Sequence, residues 1–340
     1  MVACLIQALV LLAGRGFYPC VTLVGELPDG ALLLAANHPN GLLDGLALLL
    51  ATDRQITFLA KSTFFASPLL APLLRAFGAV PVYRPTDRGQ RGGPMQQDAN
   101  RATFANARML LRSGGQLAIF PEGTPNPQPT LLPLKTGTAR IALETEQEAG
   151  WSLGLRIMPI GLWFQNQAQP RTAVLAHIGM PITVSEWRDA YSKHPQATVL
   201  ALTEELRIRL TSAVAAAELA GPASVQHAAH RGEAHTRSKL VHLVAAPCAL
   251  LGYLLALPGI AIGHAAYWAL TRRHRGSLGT ARLVALAAGL VLGWFLAGLV
   301  VAWLVGVLAG AAMLGAGPLL GYGTLRWMDA DAIIRAEKRS

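Results

Sequence analysis

His38 and Asp44 lie close together just after an apolar run over 31–36. A histidine with a carboxylate beside it is the smallest apparatus that takes a proton from a hydroxyl. The run at 31–36 reads as a buried strand and the following 42–52 as a helix, so His38 falls where a strand hands over to a helix, at the rim of a sheet. Two further sites of chemical interest close predicted strands in the same way. Arg84 ends the run at 79–83, and a planar guanidinium is suited to bidentate contact with a phosphate. Phe120 closes the run at 116–120 and leads into Pro121, Glu122, Gly123 and Thr124, and a Gly-Thr backbone can offer N–H groups to a ligand. In an open α/β sheet, strand ends on one edge converge on a crevice. That crevice would hold a base with its carboxylate, an arginine and a Glu-Gly turn. Taken singly, each has an ordinary reading: a structural His–Asp pair, a solvated arginine, a turn. Their order along the chain is what points to a site.

The elements that must position these residues alternate between types. Strands are predicted at 21–24, 31–36, 56–60, 79–83, 116–120, 156–164 and 173–178, and helices at 42–52, 96–112, 135–148 and 196–219, with two short helical pieces between 63 and 77 broken by Pro68 and Pro72. Alternation at this spacing argues for an α/β sheet.

The chain has 340 residues, with 52% hydrophobic and only 14% charged side chains, against about 25% charged in ordinary soluble domains. The excess is uneven. Residues 1–236 have the polar content of a globular domain, whereas 240–325 are nearly free of charge outside one basic patch. We therefore expect two domains, 1–236 and a C-terminal α-helical membrane module at 237–340. Residues 1–16 read as a membrane-lying helix, or else as a packed core helix. The run at 240–270 is long enough for one span but is broken at Pro258 and Gly259, and 283–325 can supply two spans. Basic clusters at Arg237 and Lys239, at Arg272, Arg273, Arg275 and Arg282, and at Arg326, Arg335, Lys338 and Arg339 all reach the cytoplasmic side if each run crosses and returns. This expectation makes 240–270 a re-entrant segment or short hairpin and 283–325 a two-span hairpin. The net charge of +10 comes without any nucleic-acid motif, which favours anionic lipid or a phosphorylated substrate over nucleic acid. Three cysteines without a C-x-x-C pair give neither a disulfide framework nor a zinc site.

Four blocks in order resemble the glycerolipid acyltransferases, the family of glycerol-3-phosphate and 1-acylglycerol-3-phosphate acyltransferases. They are Asn37 and His38 with Asp44, then 78–84 ending in Arg84, then 120–124, and then 158–161; the segment 134–142, with Lys135 and Gly137, is similar to a further family segment. The resemblance covers roughly residues 17–220. Five residues separate His38 from Asp44, which is similar to a long-spaced variant found in yeast-type members. A Pro39-Asn40-Gly41 turn can absorb the fifth residue because Asn and Gly tolerate left-handed backbone.

The resemblance implies a mixed sheet flanked by helices, and a membrane-bound O-acyltransferase of phospholipid synthesis. His38 would be the general base and Asp44 its partner. Arg84 would hold the acceptor's phosphate, Glu122, Gly123 and Thr124 would bind the acceptor or shape its pocket, and Lys135 would be a second phosphate contact. The donor would be acyl-CoA or acyl carrier protein, and the acceptor glycerol 3-phosphate or 1-acylglycerol 3-phosphate. No cofactor or metal is implied, and the site would face the cytoplasm at the inner membrane. Two rival readings are an acyltransferase for another lysophospholipid and an inactive, membrane-anchored lipid-binding homologue. A third is a transporter built on the C-terminal helices, which the absence of mid-span ionisable residues other than His disfavours.

Overall fold

The protein's structure, a computed structural model, describes residues 17–52, 54–66, 71, 74–75, 78–82, 94–167, 169 and 172–235, with isolated positions elsewhere; for 94–100 and 224–235 the backbone alone is described. The compact unit that carries these elements comprises Met1–Asn166 and Arg171–Pro222. Arg84 and the hydrophobic runs expected at 240–270 and 283–325 lie outside the described residues, apart from three isolated positions in the runs. Among the described residues no helix is long and apolar enough to cross a membrane.

Strands β1 (Val21–Val24), β2 (Leu32–Ala36), β3 (Thr57–Lys61), β4 (Ala79–Val82), β5 (Gln116–Ile119), β6 (Arg156–Phe164) and β7 (Val174–Ile178) form one sheet in the order β1-β7-β6-β2-β5-β3-β4, and a short β8 (Ile182–Thr183) pairs with β6. The block β6-β2-β5-β3-β4 is parallel throughout. Strand β7 runs antiparallel to β6, with β1 parallel to β7. The sheet is therefore mixed, and the C-terminal ends of its five parallel strands share one edge. β2 sits between β5 and β6, and all five of its residues are buried. An apolar, unalternating sequence is what a strand covered on both faces requires.

The helices are α1 (Leu42–Thr52), α2 (Pro94–Arg112), α3 (Gly137–Glu148), α4 (Arg188–Lys193) and α5 (Pro195–His235). Leu33, Ala35, Leu117 and Ile157 of the sheet share a buried cluster with Ala107 and Leu111 of α2, Ile141 and Leu143 of α3, and Leu202 and Leu206 of α5. Pro94 opens α2, where a missing N–H costs nothing.

The sequence reading differs from the structure at three places. The helical piece expected from 63 begins as a 3-10 turn, Ser62–Ala66. β8 and α4 are too short to leave a periodic signal. Helix α5 does not stop at 219 but continues through Pro222. Gly221 lets the helix pack closely there: a Cβ would fall onto the Trp163 ring.

Gly161, two residues before Trp163 on β6, has the same role from the strand's side. A Cβ at Gly161 would fall onto the Ala213 carbonyl and lie 2.7 Å from the Val214 nitrogen, so α5 lies directly against β6 backbone. Gly161→Ala forces the helix outward, and overpacking of this kind costs about 1–3 kcal/mol. Urea unfolding is the check; an unchanged midpoint would show that α5 can move freely.

Candidate active site

His38 lies two residues beyond β2, and the structure places its Nδ1 2.8 Å from Oδ2 of Asp44. Asp44 is fully buried, whereas 13% of the His38 side chain is exposed. The loop absorbs the fifth residue as expected. Gly41 adopts φ +67°, and the backbone turns sharply enough for the Asn40 N–H to donate to Oδ1 and Oδ2 of Asp44 at 3.0 and 2.9 Å.

Asp44 is the third residue of α1, so its carboxylate reaches back to the chain preceding the helix. This is half of a capping box, and the helix's partial positive N-terminus favours an anion there. Burial nonetheless pushes the Asp44 carboxyl above the ordinary carboxylate range; the His38 bond and the N–H groups of Asn40 and Gly41 oppose that push. Because Asp44 accepts at Nδ1, the imidazole is oriented with Nε2 as its bare nitrogen, and Nε2 has no partner among the described residues. The ring stacks on Phe120, with centroids 4.4 Å apart and planes 14° apart.

A raised carboxyl pKa has a sign for stability. The folded state binds the proton more tightly than the unfolded chain, so stability contributed by this group is present at low pH and is lost as pH rises from about 4 through the raised value. Asp44→Asn removes that loss. Its melting temperature relative to wild type should therefore rise between pH 4 and pH 7, while activity falls. Thermal unfolding across that range tests this, and a constant difference would show that Asp44 titrates normally.

Backbone contacts tie the two loops together. Glu122, 3% exposed, accepts the His38 N–H at Oε1 (2.8 Å) and the Leu132 N–H at Oε2 (2.9 Å). The Asn126 N–H donates to the His38 carbonyl at 2.8 Å. Gly123, at φ +74°, makes the turn after Phe120, and the Lys135 Cγ lies 3.5 Å from where a Gly123 Cβ would stand. Thr124 and Lys135 are exposed.

The structure thus brings His38, Asp44, Glu122, Gly123, Thr124 and Lys135 to one edge. β4, three places along the sheet from β2, ends at Val82, and Arg84 follows it outside the described residues.

Three other contributors were not among the expected site residues. Asn37 extends the β2–β6 ladder with its side chain: Nδ2 donates to the Leu162 carbonyl at 3.1 Å, and Oδ1 accepts the Leu162 N–H at 2.6 Å. Asn40 Nδ2 donates to the Tyr18 hydroxyl at 3.2 Å, and both residues are buried. Burial, with Asp44 nearby, keeps the Tyr18 phenol well above its ordinary range and so protonated. Asn37 adjoins the histidine, which is a weak signal; Tyr18 carried none.

Residues 20–163, which run from just before β1 to near the end of β6, match the family model described as Acyltransferase, so the chain carries an acyltransferase domain. A 114-residue segment is 31% identical to glycerol-3-phosphate O-acyltransferase 2 of Saccharomyces cerevisiae, covering 33% of this chain and 15% of that protein. A segment of 89 residues is 32% identical to an uncharacterized acyltransferase of Schizosaccharomyces pombe, covering 26% of this chain and 13% of that one. The chain therefore spans only a small part of the length of these relatives. The crystal structure of the 1-acyl-sn-glycerophosphate (LPA) acyltransferase PlsC from Thermotoga maritima is also similar, with a TM-score of 0.37 and 20% identity over 60% of this chain and 82% of that one. The matched domain is that of an acyltransferase, and the named relative it resembles is a glycerol-3-phosphate acyltransferase.

Proposed function

We propose that the protein transfers a fatty acyl group from an acyl thioester to a hydroxyl of glycerol 3-phosphate or of a 1-acylglycerol 3-phosphate. The observation that carries this reading is the 2.8 Å contact between His38 Nδ1 and a fully buried Asp44, which leaves Nε2 as the base. Nε2 takes the hydroxyl proton as the oxygen attacks the thioester carbonyl. The C–S bond then breaks, and the thiolate leaves and takes a proton from the imidazolium. Asp44 holds the tautomer and stabilises the charged ring between these events. A thioester is already activated, so no nucleophile on the protein is required.

Arg84 and Lys135 are assigned to the acceptor's phosphate, Gly123 and Thr124 to the wall of its pocket, and acyl-CoA or acyl carrier protein to the donor. The hydrophobic segment after 236 is assigned to the inner membrane, with the site at its cytoplasmic face. The long-spaced box and the C-terminal segment favour glycerol 3-phosphate as acceptor.

The test incubates purified full chain with labelled acyl-CoA or acyl carrier protein and, in parallel, glycerol 3-phosphate, 1-acylglycerol 3-phosphate and an unphosphorylated lysolipid. Label transferred to a phosphorylated acceptor is the expected result. No transfer to any acceptor would make the protein a binding homologue.

A further inference from the structure

The five-residue loop between His38 and Asp44 helps to set how the ring and the carboxylate meet. Pro39 has no N–H to give, and Gly41 has no side chain. Asn40 is anchored on both sides: its backbone N–H meets both oxygens of Asp44, and its Nδ2 meets the Tyr18 hydroxyl at 3.2 Å. Asn40 and Tyr18 are each 1% exposed. Tyr18 does not belong to the loop. It precedes β1, and its ring lies 5.7 Å from that of Phe164 at the end of β6, tilted by 57°. A line of contacts therefore runs from the sheet through Phe164, Tyr18 and Asn40 to Asp44 and on to His38.

We propose that Tyr18 and Asn40 are positioning residues: the Tyr18 hydroxyl tethers Asn40, and Asn40 in turn orients the Asp44 carboxylate so that Oδ2 stays on His38 Nδ1. The proposal rests on the acyl-transfer reading above. Neither residue touches substrate, so losing the tether changes the transition state and not substrate binding. A displacement of 1 Å at a catalytic group costs up to about 10²-fold, and a smaller shift from losing one tether is expected to lower kcat about tenfold. The groups facing His38 are Asp44 of α1, Phe120, and Glu122 through its backbone bond; those facing Asp44 are His38, Tyr18 and the amides of Asn40 and Gly41.

The experiment uses full-length wild type, Tyr18→Phe, Asn40→Ala and the double variant. Tyr18→Phe keeps the ring that packs on Phe164 and removes only the oxygen. Steady-state kinetics are measured against acyl-CoA and glycerol 3-phosphate, and proton NMR follows the low-field signal of the His38–Asp44 hydrogen bond, identified by its loss in His38→Gln. Expected are a kcat about tenfold lower in each single variant, KM values within about twofold of wild type, a double variant no worse than Asn40→Ala alone, and a low-field signal that moves or broadens in Tyr18→Phe. An unmoved signal with wild-type kcat in Tyr18→Phe overturns the tether. So does a rise in KM that accounts for the loss, or additive effects in the double variant. Should wild type transfer no acyl group while the signal still moves in Tyr18→Phe, the tether stands and the acyl-transfer reading falls.

Discussion

His38→Ala lowers acyl transfer by about 10²–10⁴-fold, the range that a positioned general base supplies, while the chain stays folded. The two halves of this expectation have separate causes. Turnover falls because neither carboxylate described beside His38 is placed to take the hydroxyl proton: Asp44 is fully buried and bonded to backbone amides, and both oxygens of Glu122 hold N–H groups. The fold survives because the ring is a rim group, stacked on Phe120 and partly open to solvent, and not part of the buried apolar cluster. Asp44 loses a partner that favours its charged form, and its carboxyl can take up a proton in place of a buried, uncompensated charge. Initial rates and circular dichroism on the same preparation decide the matter. Turnover above a few per cent of wild type, with the fold intact, would remove His38 from the mechanism.

Glu122→Ala is expected to damage both stability and rate, and to leave the acceptor's KM unchanged. Each carboxylate oxygen of Glu122 accepts one backbone N–H, from His38 and from Leu132. The alanine variant leaves both donors unpaired beside a buried position, at about 1–3 kcal/mol each, so a loss of about 2–6 kcal/mol follows. Glu122→Gln does not restore the site, because one end of the amide presents a donor to a donor. The backbone of His38 then shifts, and kcat falls with it. The family resemblance lets Glu122 either bind the acceptor or shape its pocket; this outcome fits the second and not a direct contact. A selective rise in acceptor KM, with stability unchanged, would favour that direct contact. Urea unfolding and kinetics against varied acceptor separate the two.

Much of the sheet was legible because its strands are short apolar runs bounded by turn residues, and all seven runs became strands close to their expected limits. Strand order was not legible. Nothing local in 21–24 or 173–178 says that these two strands run against the other five. The His38–Asp44 pair could be found because both partners lie six residues apart, within one turn and the start of one helix. The Tyr18–Asn40 contact spans 22 residues and the Asn37–Leu162 contact 125, and no periodicity encodes either. Glu122 was found by motif, but its backbone partners were not. Sequence shows that a carboxylate lies at a strand end, not that its oxygens are already occupied by the backbone.

The side-chain rung between Asn37 and Leu162 also has a consequence for the order of events during synthesis. The residues that would act on substrate emerge early, but the strand that closes over them emerges 125 residues later. At ordinary translation speeds of about 5–20 residues per second, the nascent chain carries an unclosed β2 for roughly 6–25 s. During that interval a five-residue, wholly apolar strand has one edge without its eventual neighbour. Such an edge is a template for pairing with other chains. The vulnerable moment for this protein is therefore on the ribosome, before Leu162 is made, and slower decoding between 120 and 160 would lengthen the exposure more than it would alter the finished fold.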